Sequence, residues 1–395
     1  MKLEAIAPSE WAVRLVPAWN DLLEGAAEPS VFLTPEWIGA WWRAFGEAYE
    51  PRLWAGWNGE GELAGLAPLY ARRRGALGFR GPRVVGFMGD EAVGSEYLGL
   101  LVRSGHEEEF LSDLAEVLES DWALLDFHGL RANGTMARLI PDILGARARR
   151  RTHVEQHPCS LVVLADDYEA YLQTLGPKFR STLRQRTNKL VKNHAVRLLL
   201  TSREEDLRPD LERFFAMHQA RWAARGHVGS FHDLRMQSFY REVAAVFLRR
   251  GWLRFCHLEV DGVVRASQFG FAYRGVLHSL QESFDHSFHP PGVGGLGVIL
   301  RGMAIRESIA EGLSAYDFLG GVDPFKARWG ATTHYVQRVR IAAASVDGSL
   351  CFAASPGFCM IKDSIRTHVP RWLLETRRAL QLLLKRTPLA RSLRP

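Results

Sequence analysis

The chain has 395 residues, 47% of them hydrophobic and 24% charged, a balance that suits a globular protein with room for two or three domains. Its net charge of +6 is local: residues 371–395 hold seven Arg or Lys and one Glu, while the other 370 hold 43 basic and 43 acidic residues. A broad nucleic-acid-binding face is therefore not implied, and no uncharged apolar run reaches the roughly 18 residues of a membrane span.

In chain order, the apolar spacing of EWIGAWWRAFGE predicts a helix over 36–47. Strands are predicted over 52–57 and 63–73, joined by the turn residues NGEGE. Further strand-like segments fall at 82–88 and 95–102, a helix at 106–119, and the strand WALLDFHG at 122–129. The polar, Arg-rich stretch 147–158 ends in His-Pro and is read as a boundary, giving modules over 1–155 and 159–345. The second module opens with a strand at 159–164, helices at 166–175 and 178–194, and the strand RLLLT. Longer helices are predicted at 204–225 and 233–250. Three strands follow at 252–260, 263–273 and 276–284, with Asp261-Gly262 and Arg274-Gly275 at their turns. Then come a glycine-rich loop, a helix over about 297–312, the strand AYDFLGG, a short helix at 323–330 and a last strand at 334–343.

Two strands end in related runs, Leu125-Asp126-Phe127-His128-Gly129 and Tyr316-Asp317-Phe318-Leu319-Gly320, so one fold is expected twice. The first copy lacks the glycine-rich loop. Chemistry is therefore expected in the second copy, and the first is expected to be non-catalytic.

The loop, HPPGVGGLGVILRG over 289–302, spells G-x-G-x-x-G through Gly292, Gly294 and Gly297. A dinucleotide site needs those glycines directly after a parallel strand. Here the preceding strand belongs to an antiparallel meander, and DHSFHPP intervenes. Two readings remain open. Either the glycines serve only to turn the chain, or Gly292, Val293, Gly294, Gly295, Leu296 and Gly297 cradle a pyrophosphate at a helix N-terminus, with Arg301 adding charge.

The order of antiparallel strands, glycine loop, helix, strand, short helix and closing strand resembles the GNAT acyltransferase superfamily. The segment FDHSFHPPGVGGLGVILRGMAIRESIAEGLSAYDFLGGVDPFKARWG is similar to the core of its FemAB-like branch, which includes CelD-type cellulose-biosynthesis acetyltransferases. The matching residues are Pro291-Gly292, Asp317-Phe318 with Gly320, and Phe325-Lys326 with Trp329. The resemblance is strong over 160–343 and loose over 1–150. It implies an α/β fold of tandem GNAT-like modules, each a mixed, mostly antiparallel sheet flanked by helices. It also implies acyl-CoA bound at 292–301 as donor, with a backbone N–H near 281–284 polarising the thioester carbonyl.

Amide formation from a thioester needs a proton acceptor near that strand. Period-two alternation predicts Glu282 and His278 on one face of 276–284, with Gln281 and Ser283 on the other. Glu282 is either the base or the partner of a nearby arginine, and His278 is either a second candidate or a hydrogen-bonded core histidine. Asp317 lies in an apolar strand, where a carboxylate is costly unless paired, so it reads as catalytic or as an anchor. Lys326 reads as a substrate or oxyanion contact, by analogy with the Phe-Lys region of Fem-type aminoacyltransferases, or as an exposed helical lysine. The basic helix KFRSTLRQRTNKLVKNH puts Arg180 and Arg184 on one face, near Lys178. That face is either solvated or a phosphate-binding strip for CoA or an anionic acceptor. Trp329 completes the expected substrate-binding set. No metal is expected, since no ligand cluster is spelled out.

The tail 346–395 is basic, and Trp372, Leu373, Leu380, Leu383 and Leu384 can line one stripe of a helix. It reads either as an anchor on an anionic membrane through 371–395 or as a helix docked on the body. The start, MKLEAIAPSEW, has no secretory apolar core. The four cysteines show no C-x-x-C pair and are expected reduced. A cytoplasmic acyltransferase, peripheral on the inner membrane face if the tail docks there, is the expectation. It would be an acyl-CoA-dependent N-acyltransferase whose acceptor is a small or lipid-like amine, sphingoid or amino-sugar, and not nucleic acid. The alternatives are an envelope O-acyl or aminoacyl transferase, or a non-catalytic accessory of polysaccharide or lipid synthesis.

Overall fold

Runs of β-branched and aromatic residues separated by tight turns dominate the second half of this sequence, and they build a hairpin ladder. The structure, a computed structural model, describes residues 1–73, 81–90, 93–118, 122–146, 151–321 and 323–352. The tail 371–395 lies outside the described residues. The first half runs β1 (Lys2–Ile6), α1 (Pro8–Arg14), α2 (Val16–Gly25), α3 (Pro35–Phe45), β2 (Glu50–Trp57), β3 (Leu63–Arg73), β4 (Arg83–Phe87), β5 (Leu101–Val102), α4 (Glu107–Val117), β6 (Leu124–Arg131) and α5 (Thr135–Gly145). The second runs β7 (Arg151–Val163), α6 (Tyr168–Thr174), α7 (Pro177–Asn193), β8 (Val196–Leu200), α8 (Glu204–Ala223), α9 (Leu234–Arg249), β9 (Leu253–Val260), β10 (Val263–Tyr273), β11 (Val276–Phe284), α10 (Leu296–Ala310), β12 (Ala315–Gly320), α11 (Pro324–Ala327) and β13 (Thr332–Ala342).

The described strands form one 13-stranded sheet in the order β1-β2-β3-β4-β6-β13-β7-β12-β11-β10-β9-β8, with β5 on β3. Among the described pairs only β4–β6 and β11–β12 are parallel. These are corresponding places in the two halves, and β6 and β12 are the strands that carry the repeated Asp-Phe run. Each half is, as expected, a mixed, mostly antiparallel sheet flanked by helices. The turns between β9, β10 and β11 use Asp261 and Gly262 at φ 53° and 77°, and Arg274 and Gly275 at φ 48° and 78°. Such paired left-handed residues match the twist of a two-residue hairpin.

The stretch 147–158 was expected to separate the modules. From Arg151 onward it is strand instead, and β7 pairs with β13 from Arg151 to Leu161. β13 in turn pairs with β6. Residues 151–156 are solvent-exposed, because β12 joins the far edge of β7 only from Cys159 onward. An edge segment wetted on both faces carries polar residues, and so it reads like a linker.

One core crosses the junction. Trp37 of α3 meets Phe239 of α9 edge-on at 5.0 Å, and Phe32 meets Phe271 of β10 at 5.9 Å. A second core on the opposite face holds α6, α7 and α10 against β9–β12. The halves are also joined by polar contacts. Asp126 on β6 is 6% exposed and receives both guanidinium arms of Arg338 on β13, each at 2.6 Å. Asp317 on β12 is 1% exposed and accepts from Tyr97 Oη at 2.8 Å and from the amide of Leu319 at 2.7 Å.

Tyr97 accounts for a further departure. SEYLGLLV was predicted as strand over 95–102, yet only Leu101–Val102 pair. Tyr97 adopts φ 52°, a left-handed value that breaks the pleat and costs an L-residue roughly 1–2 kcal/mol. The Arg131 guanidinium lies 4.2 Å over its ring, and the Asp317 bond holds its other end. Tyr97→Phe should therefore leave a buried carboxylate short of a donor and lower unfolding free energy by about 1–3 kcal/mol in urea titration. An unchanged midpoint would show that the bond does not fasten the halves.

Candidate active site

The parallel pair β11–β12 holds for only three residue pairs, Val276–His278 with Ala315–Asp317. Beyond His278 the strands part. On its other edge β11 stays paired with β10, but that ladder skips Leu280: Phe269 faces Gln281 and Gly270 faces Ser279. Leu280 is thus the extra residue of a β-bulge, a device that re-aims side chains beside functional sites.

The bulge corrects the predicted alternation. His278 lies among Phe32 and Phe271 on the α9 side, with Nδ1 3.5 Å from Asp317 Oδ2. Gln281 and Ser283 share that side, bonded to His218 and the Phe214 carbonyl of α8. Glu282 points the opposite way, toward α10. Its Oε1 accepts from Arg301 Nε at 2.6 Å, and its Oε2 accepts from Nη2 of the same guanidinium. His278 and Glu282 therefore do not act on one face. Burial opposes the charge on Arg301, but the Glu282 carboxylate outweighs it and raises the arginine pKa. The guanidinium also lies 4.5 Å over the Phe325 ring.

The glycine loop follows β11 and lies beside its end, with Gly297 against Phe284. Gly292 and Gly294 have φ 71° and 73°, which explains glycine at both. Gly297 is needed for a different reason: a Cβ there would come within 2.8 Å of the Phe284 ring. Val293 and Leu296 are buried at 1% and 5% and pin the loop to the core by their side chains. The amides of Gly294, Gly295, Leu296 and Gly297 have no backbone carbonyl partner among the described residues. They precede or begin α10, where the helix presents its positive end. A basic wall surrounds them. Lys189 Nζ sits against Gly292, Arg186 Cζ lies 2.8 Å from where a Gly294 Cβ would be, and Arg221 lies 5.2 Å over Phe284.

Other predicted residues lie elsewhere. Arg180 donates to Gln173, and Arg184 is paired with Glu169, so both turn toward α6. Lys178 is exposed at the start of α7. Trp329 is 1% exposed, packs edge-on against Phe179 at 5.0 Å and belongs to the core. Lys326 is not the exposed lysine of one reading: it is 8% exposed, and its Nζ donates toward the carbonyls of Phe318, Leu319, Gly320 and Gly321 at 2.7–3.3 Å. Burial lowers its pKa. Asp317 is fully engaged at the junction. Among the described residues no three His, Cys, Asp or Glu side chains are grouped to hold a metal ion, and no helix is long and apolar enough to cross a membrane.

Sequence reasoning missed Arg221, and within the basic helix it singled out Arg180 and Arg184 rather than Arg186 and Lys189. A signal for Arg186 was present: it lies three residues after Leu183 and four before Leu190, the buried positions of α7, and so beside their stripe.

The element series α7 to α11 has a known counterpart. Residues 177–327 match the acetyltransferase (GNAT) domain family. That span begins at α7 and ends at α11, so it includes the bulged strand, the glycine loop and Lys326. Over the whole chain the fold is similar to solved structures. FemX aligns at TM-score 0.61 and 11% identity, over 90% of this chain and 100% of its own. A conserved protein of unknown function from Bacteroides thetaiotaomicron VPI-5482 aligns at 0.55 and 12% identity, over 87% and 100%. The C-terminal domain (DUF2156) of a putative lysylphosphatidylglycerol synthetase from Agrobacterium fabrum aligns at 0.50 and 12%, over 88% and 95%. At these identities the likeness is one of fold. No curated protein sequence matches the chain.

The Glu282–Arg301 pair is largely shielded, with side chains 14% and 13% exposed. Glu282→Gln should strand a guanidinium and cost about 3 kcal/mol, whereas Glu282→Gln with Arg301→Met should recover part of that loss. A denaturant double-mutant cycle reads the coupling, and additive losses would mean that the two side chains act separately.

Proposed function

We propose that the chain transfers an acyl group from a CoA thioester to the nitrogen of an amine. The carrying observation is the row of backbone amides from Gly294 to Gly297 without carbonyl partners, at the head of α10 and ringed by Arg186, Lys189 and Arg221. Bare amides, a helix N-terminus and cationic side chains together suit a pyrophosphate. The left-handed glycines fit the same ligand, because no side chain stands between its phosphates and the backbone.

The rest of the wedge suits the thioester end. Beyond His278, the β11 edge on the β12 side has no ladder partner, so its amides are available to polarise a carbonyl. Arg301 is held rigid by Glu282 and Phe325, which keeps its charge beside the wedge. Lys326 fastens the corner after β12 and so holds the opposite wall in place. The match of 177–327 to an acetyltransferase domain supports the same reading. The acceptor is a primary amine, small or lipid-like.

Thiol release from acetyl-CoA and palmitoyl-CoA, run against amines that include sphinganine and amino sugars, tests the reaction. Release with at least one amine is expected; CoA binding without release under any condition would point to an accessory protein. Gly294→Asp brings a carboxylate to the loop and demands a φ of 73° from a non-glycine residue. Its CoA affinity should fall at least about tenfold by calorimetry, since every cited contact favours an anion. An affinity equal to wild type would remove the loop from the reading. Arg186→Gln and Lys189→Gln should each weaken binding several-fold at low salt, and the difference should shrink as salt rises.

A further inference from the structure

The wedge between β11 and β12 is closed from the first half of the chain. Three residues of the segment 94–97 touch it in turn. Gly94 lies against Leu280, the bulge residue of β11, with a Cβ there 3.3 Å from Leu280 Cδ1. The Glu96 carboxylate abuts Gly320 at the end of β12, so closely that a side chain at 320 would collide with Oε1. Tyr97 bonds Asp317 one turn of the strand earlier. The segment therefore spans the gap from one wall to the other, and Glu96 is the carboxylate it delivers.

Glu96 differs from the other acidic groups of this region. Glu282 has both oxygens on Arg301, and Asp317 has its oxygens on Tyr97 and the Leu319 amide. Oε2 of Glu96 is buried and has no hydrogen-bond partner. An unpaired buried carboxylate is costly to maintain, and such groups mark functional sites.

We propose that Glu96 is the general base of the transfer reaction, supplied to the second half's acyl site by the first half. This rests on the acyl-transfer reading above. An acceptor ammonium gives one proton to the Glu96 carboxylate. The freed nitrogen lone pair forms the C–N bond at the thioester carbonyl carbon. The C–S bond breaks with its electron pair on sulfur, and a second nitrogen proton passes to that thiolate. The third stays on the amide. Glu96 then returns its proton to solvent.

The surroundings tune the group for this task. Burial pushes its pKa up to about 7. His128 on β6 and Lys326 on α11 pull it down; Asp317 on β12 and Asp90 after β4 push it up. Cys159 on β7 and the Tyr97 hydroxyl, both neutral through burial, complete the shell. Because the folded-state pKa lies above that of a free glutamate, the carboxylate form needed for catalysis appears only as pH rises through about 7. The rate should therefore have a rising limb centred there.

The experiment compares wild type, Glu96→Gln, Glu96→Asp and Glu282→Gln, with thiol release followed from pH 5.5 to 9 on the best amine of the panel. CoA affinity and melting temperature are measured on each. Glu96→Gln should lose about a hundredfold or more in kcat, keep wild-type CoA affinity and melting behaviour, and lack the limb near pH 7. Glu96→Asp should restore part of the rate with the limb intact. Glu282→Gln, if folded, should retain the limb. The assignment is overturned if Glu96→Gln keeps the rate and the limb, or if Glu282→Gln alone removes the limb. A wild type that releases no thiol with any amine overturns the acyl-transfer reading itself, a distinct result from an active wild type with an equally active Glu96→Gln.

Discussion

The early parting of two parallel strands is the constraint on which the rest of this molecule depends. β11 and β12 share three residue pairs and then separate, with Glu282, Asp317 and Lys326 on the two strands and the helix that follows them. The bulge at Leu280 is the local cause on one side, because an extra residue bends its strand away. On the other side Lys326 gathers the four successive carbonyls of residues 318–321, at the end of β12, and pins that end of the strand. Unpaired backbone that would be costly in a closed sheet becomes a set of available donors.

The electrostatics of the gap are divided. At the loop end, backbone amides, the start of α10 and the Arg186, Lys189 and Arg221 side chains all favour negative charge. At the junction end, burial raises the pKa of Glu96, and the nearby charges of Asp317 and Asp90 add to that rise. An anion is drawn to one end and a cation to the other. This polarity suits a reaction that joins a phosphate-bearing donor to an ammonium acceptor.

The two halves repeat a fold but pair its matching carboxylates differently. Asp126 and Asp317 occupy matching strands, yet Asp126 is spent on Arg338 and Asp317 on Tyr97, each tying one half to the other. The sheet runs unbroken through β6, β13, β7 and β12, and the larger core draws aromatics from both halves. A half removed by itself would expose the ring faces of Phe32, Trp37, Phe239 and Phe271. The first half, expected from sequence to be non-catalytic, brings its segment 94–97 against β11 and β12 of the second half.

Local chemistry was legible in the sequence. The hairpins β9 to β11 follow from Asp-Gly and Arg-Gly turns, the α10 start follows from the glycine loop, and the doubled Asp-Phe run announced the repeat. These features depend on residues within a few positions of one another. The elements β1, α1, α2 and α5 escaped notice, being short or, for α5, interrupted by Pro141. Period-two counting put Glu282 and His278 together, because a single bulged residue inverts every later position and leaves no local mark. Arg180 and Arg184 looked like the phosphate strip for a similar reason: spacing names a face of a helix but not its neighbour. Glu96 lies 224 positions before Gly320, in a half with no glycine loop to draw attention to it. Its burial and its place at the gap exist only once the strained turn at Tyr97 has carried it across the junction. Short-range turn and periodicity preferences thus determined the elements. Long-range packing, which no local pattern encodes, decided which charges meet.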